Sequence, residues 1–191
     1  MKLHPVLLPI PERQGLTGRE RIARQRDYAR RALAECCKLS AVTPWDWQKD
    51  PGDVPLPHDG YYWAIAHKPA FAAAVIADGP VGIDIERITS RAEGLFDKLA
   101  ASDEWMLLGE RTWEAFFRVW TAKEATLKAN GIGIAGFLSC RVLAVLDETH
   151  LTLEYNDRTW TVEQYRHGDH LAAVTLRGGD AHWVVLDTPD S

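Results

Sequence analysis

Two stretches, one in each half of the chain, share a pattern. Phe71–Glu86 reads FAAAVIADGPVGIDIE, and Leu171–Asp187 reads LAAVTLRGGDAHWVVLD. Each is an apolar run, a glycine turn and a second apolar run, which spells strand, turn, strand. The same unit occurring twice in 191 residues restricts the fold to two related lobes, each with its own small sheet. The copies differ where chemistry would sit. Asp84-Ile85-Glu86 ends the first, while Trp183-Val184-Val185 stands near that place in the second. A single site per chain follows.

The remaining elements fill out the two halves. Leu3–Ile10 reads as an edge strand, its pairing limited by Pro5 and Pro9. Arg19–Lys38 reads as a helix with Ile22, Ala29, Leu33 and Cys36 or Cys37 turned inward. Ser40–Gly60 is punctuated by proline and glycine and reads as a loop pinned by Trp45 and Trp47. Tyr61–Ala66, Phe71–Ala77 and Val81–Glu86 follow as strands. A short helix precedes Ser102-Asp103-Glu104, the cap and first turn of another. A long helix runs from about Thr112 to Asn130, stopped by Asn130-Gly131. Leu138–Leu146, Leu151–Tyr155, Thr159–Arg166, His170–Leu176 and Ala181–Asp187 read as five further strands. The expected fold is α+β: two similar lobes related by a pseudo-twofold, each a small, mainly antiparallel sheet with a long helix packed on it. Residues 1–88 would form the first lobe and residues 89–191 the second.

Composition excludes several classes. The net charge of -5 implies no general affinity for nucleic acid. No segment resembles a membrane span, and MKLHPVLLPIPERQ lacks the apolar core of a signal peptide. Three cysteines, without metal-ligand spacing, suit reduced thiols and a cytoplasmic location. One basic patch stands out: seven arginines in Arg13–Arg31 against Glu20 and Asp27. Most belong to a solvated helix face, but an acidic partner or a phosphate-rich ligand would use a few.

The chemistry concentrates in two motifs. Along the long helix that ends in WTAKEATLKANGIG, Trp113, Phe116, Phe117, Trp120 and Leu127 recur at helical spacing on one face. Glu124 lies one turn after Trp120 and so points with the aromatic residues, and Lys128 lies one further turn on. A carboxylate on such a stripe needs a cation. In VGIDIERI, Gly82, Asp84 and Glu86 share one strand face and the isoleucines the other. Asp is disfavoured inside a strand, so Asp84 marks a site. Taken alone, the helix motif reads first as a Glu–Lys pair at the edge of the core, and the strand motif equally as a solvated face ending in a turn. Together, three carboxylates with a lysine one turn beyond compose a site for Mg²⁺ and phosphate.

GIDIE at Gly82–Glu86 followed by WTAKEATLK at Trp120–Lys128 resembles the paired signature of the 4'-phosphopantetheinyl transferases, the surfactin-synthetase-activating (Sfp-like) group in particular. FDKLAASDE around Phe96 and Glu104, and AIAHKP around His67, resemble that family's intervening and upstream segments. The resemblance implies two lobes of the kind described and a holo-acyl-carrier-protein synthase activity. Phosphopantetheine would pass from coenzyme A to a serine of an apo acyl or peptidyl carrier protein, with release of 3',5'-ADP. It implies Asp84, Glu86 and Glu124 as ligands of Mg²⁺, Glu124 as base and Lys128 as the cation at the leaving phosphate. It implies Arg30, with Arg31 and Arg26 close behind, and His67 as coenzyme ligands, the histidine near the 3'-phosphate. Lys123 is expected to face solvent or another phosphate. The family often carries Gly-Lys-Pro in the loop where this chain has Gly52-Asp53-Val54-Pro55, and a serine where it has Ala66. A monomer would suffice. Three other readings stand beside this one: a Mg²⁺-dependent phosphohydrolase, a binding module with a structural cation, and a catalytically degenerate family member.

Overall fold

A computed structural model describes residues 1–133 and 136–187; the end of the expected second lobe, residues 188–191, lies outside them. In chain order the elements are β1 (Val6–Pro9), α1 (Gly18–Leu39), β2 (Tyr62–Lys68), β3 (Phe71–Ala77), β4 (Ile83–Arg87), α2 (Phe96–Leu99), α3 (Ser102–Leu108), α4 (Trp113–Ala129), β5 (Arg141–Val145), β6 (His150–Tyr155), β7 (Arg158–His167), β8 (His170–Thr175) and β9 (Val184–Val185). The strands form two sheets, ordered β2-β3-β1-β9 and β4-β8-β7-β6-β5. All pairings are antiparallel except β1 with β9. The fold is therefore α+β with two sheets, as expected.

Period-two alternation layers the molecule. Val6 and Leu8 of β1, with Ala72, Ala74 and Ile76 of β3, pack against Ala29, Leu33 and Cys36 of α1. Leu7, Ala73 and Val75, from the other faces of the same strands, meet Ile83 and Ile85 of β4 and Ala172 and Val174 of β8. Leu171 and Ala173 face α4, where Phe116, Phe117 and Leu127 fill the last layer. The order is helix, sheet, sheet, helix.

The sheets exchange strands. The β2-β3 hairpin lies in the first sheet, but β4, which follows it, is an edge of the second. The β7-β8 hairpin lies in the second sheet, but β9 pairs with β1 in the first. By hydrogen bonding, then, the sequence division at residue 88 does not sort the strands into sheets. β1 is also no edge strand: it runs between β3 and β9. Pro5 precedes it and Pro9 ends it, so its interior keeps every donor. Ile22 is not part of the inner stripe of α1; it is exposed, and the buried face begins at Tyr28.

α1 opens on a capping box, in which the Thr17 hydroxyl accepts from Glu20 N and Glu20 accepts from Thr17 N. α4 is set by two features. Gly82, just before β4, faces it so closely that a Cβ there would come within 1.8 Å of the Ala125 carbonyl oxygen. Lys123 points from α4 into the core with no exposure, its ammonium 2.8 Å from Glu104 Oε1 and donating to the Leu99 and Phe137 carbonyls. Glu104 also accepts from Val142 N and Ala101 N, so this ion pair is fully hydrogen-bonded. Here the structure corrects the expectation that Lys123 faces solvent or a phosphate.

Removing one partner of a buried pair strands the other charge, which costs about 3–5 kcal/mol. Lys123→Ala is expected to lower unfolding free energy by that amount in urea titrations. A loss within experimental error would contradict this role. Gly82→Ala overpacks the strand–helix contact and is expected to cost about 1–3 kcal/mol; a wild-type urea midpoint would contradict the close approach.

Candidate active site

The exchange places β2, an edge of the first sheet, beside β4, an edge of the second. A cavity of about 680 Å³ opens along that seam. α4 walls it with Trp120, Glu124 and Lys128, α1 contributes Arg26 and Arg30, and the loop before β2 contributes Trp47 and Lys49.

One end is acidic. Asp84 and Glu86, on the β4 face turned toward α4, are both buried. Lys128 Nζ lies 2.8 Å from Asp84 Oδ1 and 3.0 Å from the Ile83 carbonyl oxygen. Lys68 Nζ lies 2.6 Å from Glu86 Oε1. Each acid thus spends one oxygen on an ammonium. The second oxygens, Asp84 Oδ2 and Glu86 Oε2, are enclosed and accept no hydrogen bond among the described residues. Glu124 lines the same cavity and has no hydrogen-bond partner there. Burial, with Asp84 and Glu86 adding and Lys128 opposing, pushes its carboxyl up to about 7. Burial and Asp84 likewise raise Glu86.

Enclosed carboxylate oxygens that accept no hydrogen bond, beside a Glu86 and a Glu124 whose affinity for protons is raised, are what a hard divalent cation satisfies. The residues fit Mg²⁺ by this measure. The three are not among the groups whose ligand atoms all lie within 4.8 Å of one another; among the described residues that trio is His150, Glu163 and Asp180.

The other end is basic. His67, next to last in β2, has its Nδ1 enclosed and without a hydrogen-bond partner among the described residues. Burial, then the charges of Lys128, Arg26, Lys68 and Lys49, hold its pKa below the ordinary histidine value. Lys128, Lys68 and Lys49 each have one carboxylate partner, while Arg26 and Arg30 form no ion pair among the described residues, so an anion is the complementary ligand on their side of the hollow.

Of the residues singled out in the sequence, Asp84, Glu86, Glu124, Lys128, His67 and Arg30 line this cavity. Arg31 does not; its guanidinium lies over the Tyr28 ring, 4.7 Å from the centroid. Lys123 does not, being held in the core by Glu104. Lys68 and Lys49 were not anticipated. A signal for Lys68 existed, since it continues the inward-facing line of Ala64 and Ala66. Lys49 had none. It arrives on a loop closed by hydrogen bonds from Asp50 N to Val54 O and from Leu56 N to Gln48 O, pairing with Asp53 at 3.0 Å.

Comparison with known proteins bears on the same segment. A family model described as the 4'-phosphopantetheinyl transferase superfamily matches residues 80–175, half of the chain. The chain is 30% identical over 101 residues to 4'-phosphopantetheinyl transferase psf-1 of Bacillus pumilus, covering 51% of this chain and 43% of that protein. It is 34% identical over 137 residues to enterobactin synthase component D of Salmonella typhi, covering 64% and 57%. It is 31% identical over 77 residues to 4'-phosphopantetheinyl transferase gsp of Aneurinibacillus migulanus, covering 38% and 32%. The chain thus spans about half the length of the curated relatives it matches. The span matched by the family model carries Asp84, Glu86, Glu124 and Lys128, and by that match the chain belongs to the 4'-phosphopantetheinyl transferase superfamily.

Proposed function

We propose that this chain transfers 4'-phosphopantetheine from coenzyme A to a serine of an apo acyl or peptidyl carrier protein and releases 3',5'-ADP. The observation that carries the reading is the mixed charge of one cavity, lined both by the carboxylates Asp84, Glu86 and Glu124 and by His67 with Arg26, Arg30 and Lys49. A ligand with a bridging pyrophosphate and a separate terminal phosphate matches both ends.

Asp84, Glu86 and Glu124 are the residues that would hold Mg²⁺. Bound there, it would draw charge from the pyrophosphate and orient it. The rest falls to the side chains. His67, Arg26, Arg30 and Lys49 grip the 3'-phosphate. An ammonium has three donors; Lys128 uses two, on Asp84 and Ile83, and keeps the third for a phosphate oxygen. Glu124 is the cavity carboxylate with no ammonium bound to it and is placed to take the proton of the serine hydroxyl. The serine oxygen then bonds to the β-phosphorus, the bridging P–O bond breaks, and the electron pair leaves with 3',5'-ADP. Lys128 offsets the charge that develops there. Arg19, Arg21 and Arg31 on the exposed side of α1 suit an acidic carrier surface. One cavity fed by both halves of one chain makes a monomer sufficient. No described helix is long and apolar enough to cross a membrane, and we place the reaction in the cytoplasm, with its coenzyme and carriers.

Incubation with coenzyme A, Mg²⁺ and an apo carrier protein tests the reading. Intact-mass measurement should show the carrier gain one phosphopantetheine on its serine. Release of 3',5'-ADP with no gain in carrier mass would identify a hydrolase instead. Glu124→Gln is expected to lower kcat by roughly 10²–10⁴. Lys128→Ala should lower it by roughly 10²–10³, with circular dichroism unchanged. Near-normal kcat in Lys128→Ala would move the leaving-group role to an arginine.

A further inference from the structure

A second group of ligating side chains lies away from the cavity. His150 opens β6, Glu163 sits on the adjacent β7, and Asp180 lies in the segment leading to β9. One ligand atom from each falls within 4.8 Å of the other two. Glu163 is 8% exposed. Its Oε1 accepts from Trp183 Nε1 at 2.9 Å and its Oε2 from Ala181 N at 2.7 Å.

The histidine points to a ligand. Its Nδ1 lies 3.0 Å from Asp147 Oδ1, which also accepts from the backbone N–H groups of Thr149 and His150. A carboxylate held that way is an acceptor, so Nδ1 donates to it. In the neutral ring, Nε2 then presents a lone pair. That atom is enclosed and has no hydrogen-bond partner. It faces Glu163 Oε2 at 3.6 Å, acceptor against acceptor. A proton on Nε2 would make an ion pair of the two, but at 3.6 Å it does not bridge them by a hydrogen bond. A metal ion does: two ligands about 2.1 Å from one tetrahedral ion stand about 3.4 Å apart. Asp180 adds a carboxylate with no hydrogen bond or ion pair among the described residues. The Asp147–His150 contact is the carboxylate–histidine arrangement that orients a metal-bound imidazole.

We propose that His150, Glu163 and Asp180 form a structural site for a divalent transition cation of the zinc class, with Asp147 as the positioning residue of His150. One imidazole and two carboxylates suit Zn²⁺ better than Mg²⁺. The ion ties the segment before β9 to the second sheet and so fastens the exchanged strand, at the rim away from the cavity.

The test is calorimetric titration of the full chain with Zn²⁺, in an Asp84→Asn, Glu124→Gln background that removes cavity ligands. About one Zn²⁺ per chain is expected there, with a higher thermal midpoint. His150→Gln and Asp180→Asn should each abolish binding. Asp180 is exposed, so the second variant keeps the test valid if the first fails to fold. Asp147→Asn should weaken binding roughly 10–100-fold. No binding in the background protein, or binding untouched by Asp180→Asn, would overturn the proposal.

Discussion

The approach of α4 to β4 over Gly82 is the constraint on which the rest depends. A residue with no side chain lets a strand start against a helix backbone, at a separation that any Cβ would violate. Gly82, Asp84 and Glu86 share one strand face. The closeness secured at the first brings the other two within reach of the helix residues one turn apart, Glu124 and Lys128. The Glu104–Lys123 pair fixes the same helix from its opposite side. α4 is thus held on one side by sterics and on the other by charge, which gives its cavity-facing residues little freedom to drift.

Charge in the cavity is arranged as unfinished pairing. Lys128 and Lys68 each neutralise one oxygen of a buried acid and leave the other without a hydrogen bond, with Arg91 at 3.8 Å from that of Glu86. In water such an arrangement would cost little. Under burial it keeps carboxylates and cations in one hollow, each incompletely satisfied, until a ligand of both signs enters. Glu104 and Lys123 show the contrasting outcome, because every atom of that pair has its partner and it binds nothing further.

How much of this the sequence discloses depends on range. Alternation in VGIDIERI and the helical stripe in WTAKEATLK are local, and the residues they single out, Asp84, Glu86, Glu124 and Lys128, line one cavity. What fails is non-local. Lys123 and Lys128 look alike in sequence, and the one that meets a buried acid is decided by Glu104 on a different helix. β1 looked like an edge strand because its prolines are visible and its partner β9, far along the chain, is not. The helix stripe reads as starting at Ile22, about two turns before the buried face begins at Tyr28. Lys49 reaches the cavity through loop hydrogen bonds with no sequence period. The two similar runs of residues were readable, but not that the last strand of each run crosses to the other sheet.

That crossing bears on how the chain acquires its structure. β4 carries Asp84 and Glu86, yet its pairing partner is β8, at His170–Thr175. A chain emerging from its N-terminus can form the β2-β3 hairpin early, since those contacts are local. β4 must wait as an unpaired edge, its two acids in water, until almost all of the remaining sequence has been made. β1 waits likewise for β9. The two sheets therefore close on each other late and together, and no truncated product ending before β8 can hold the acidic end of the cavity in place.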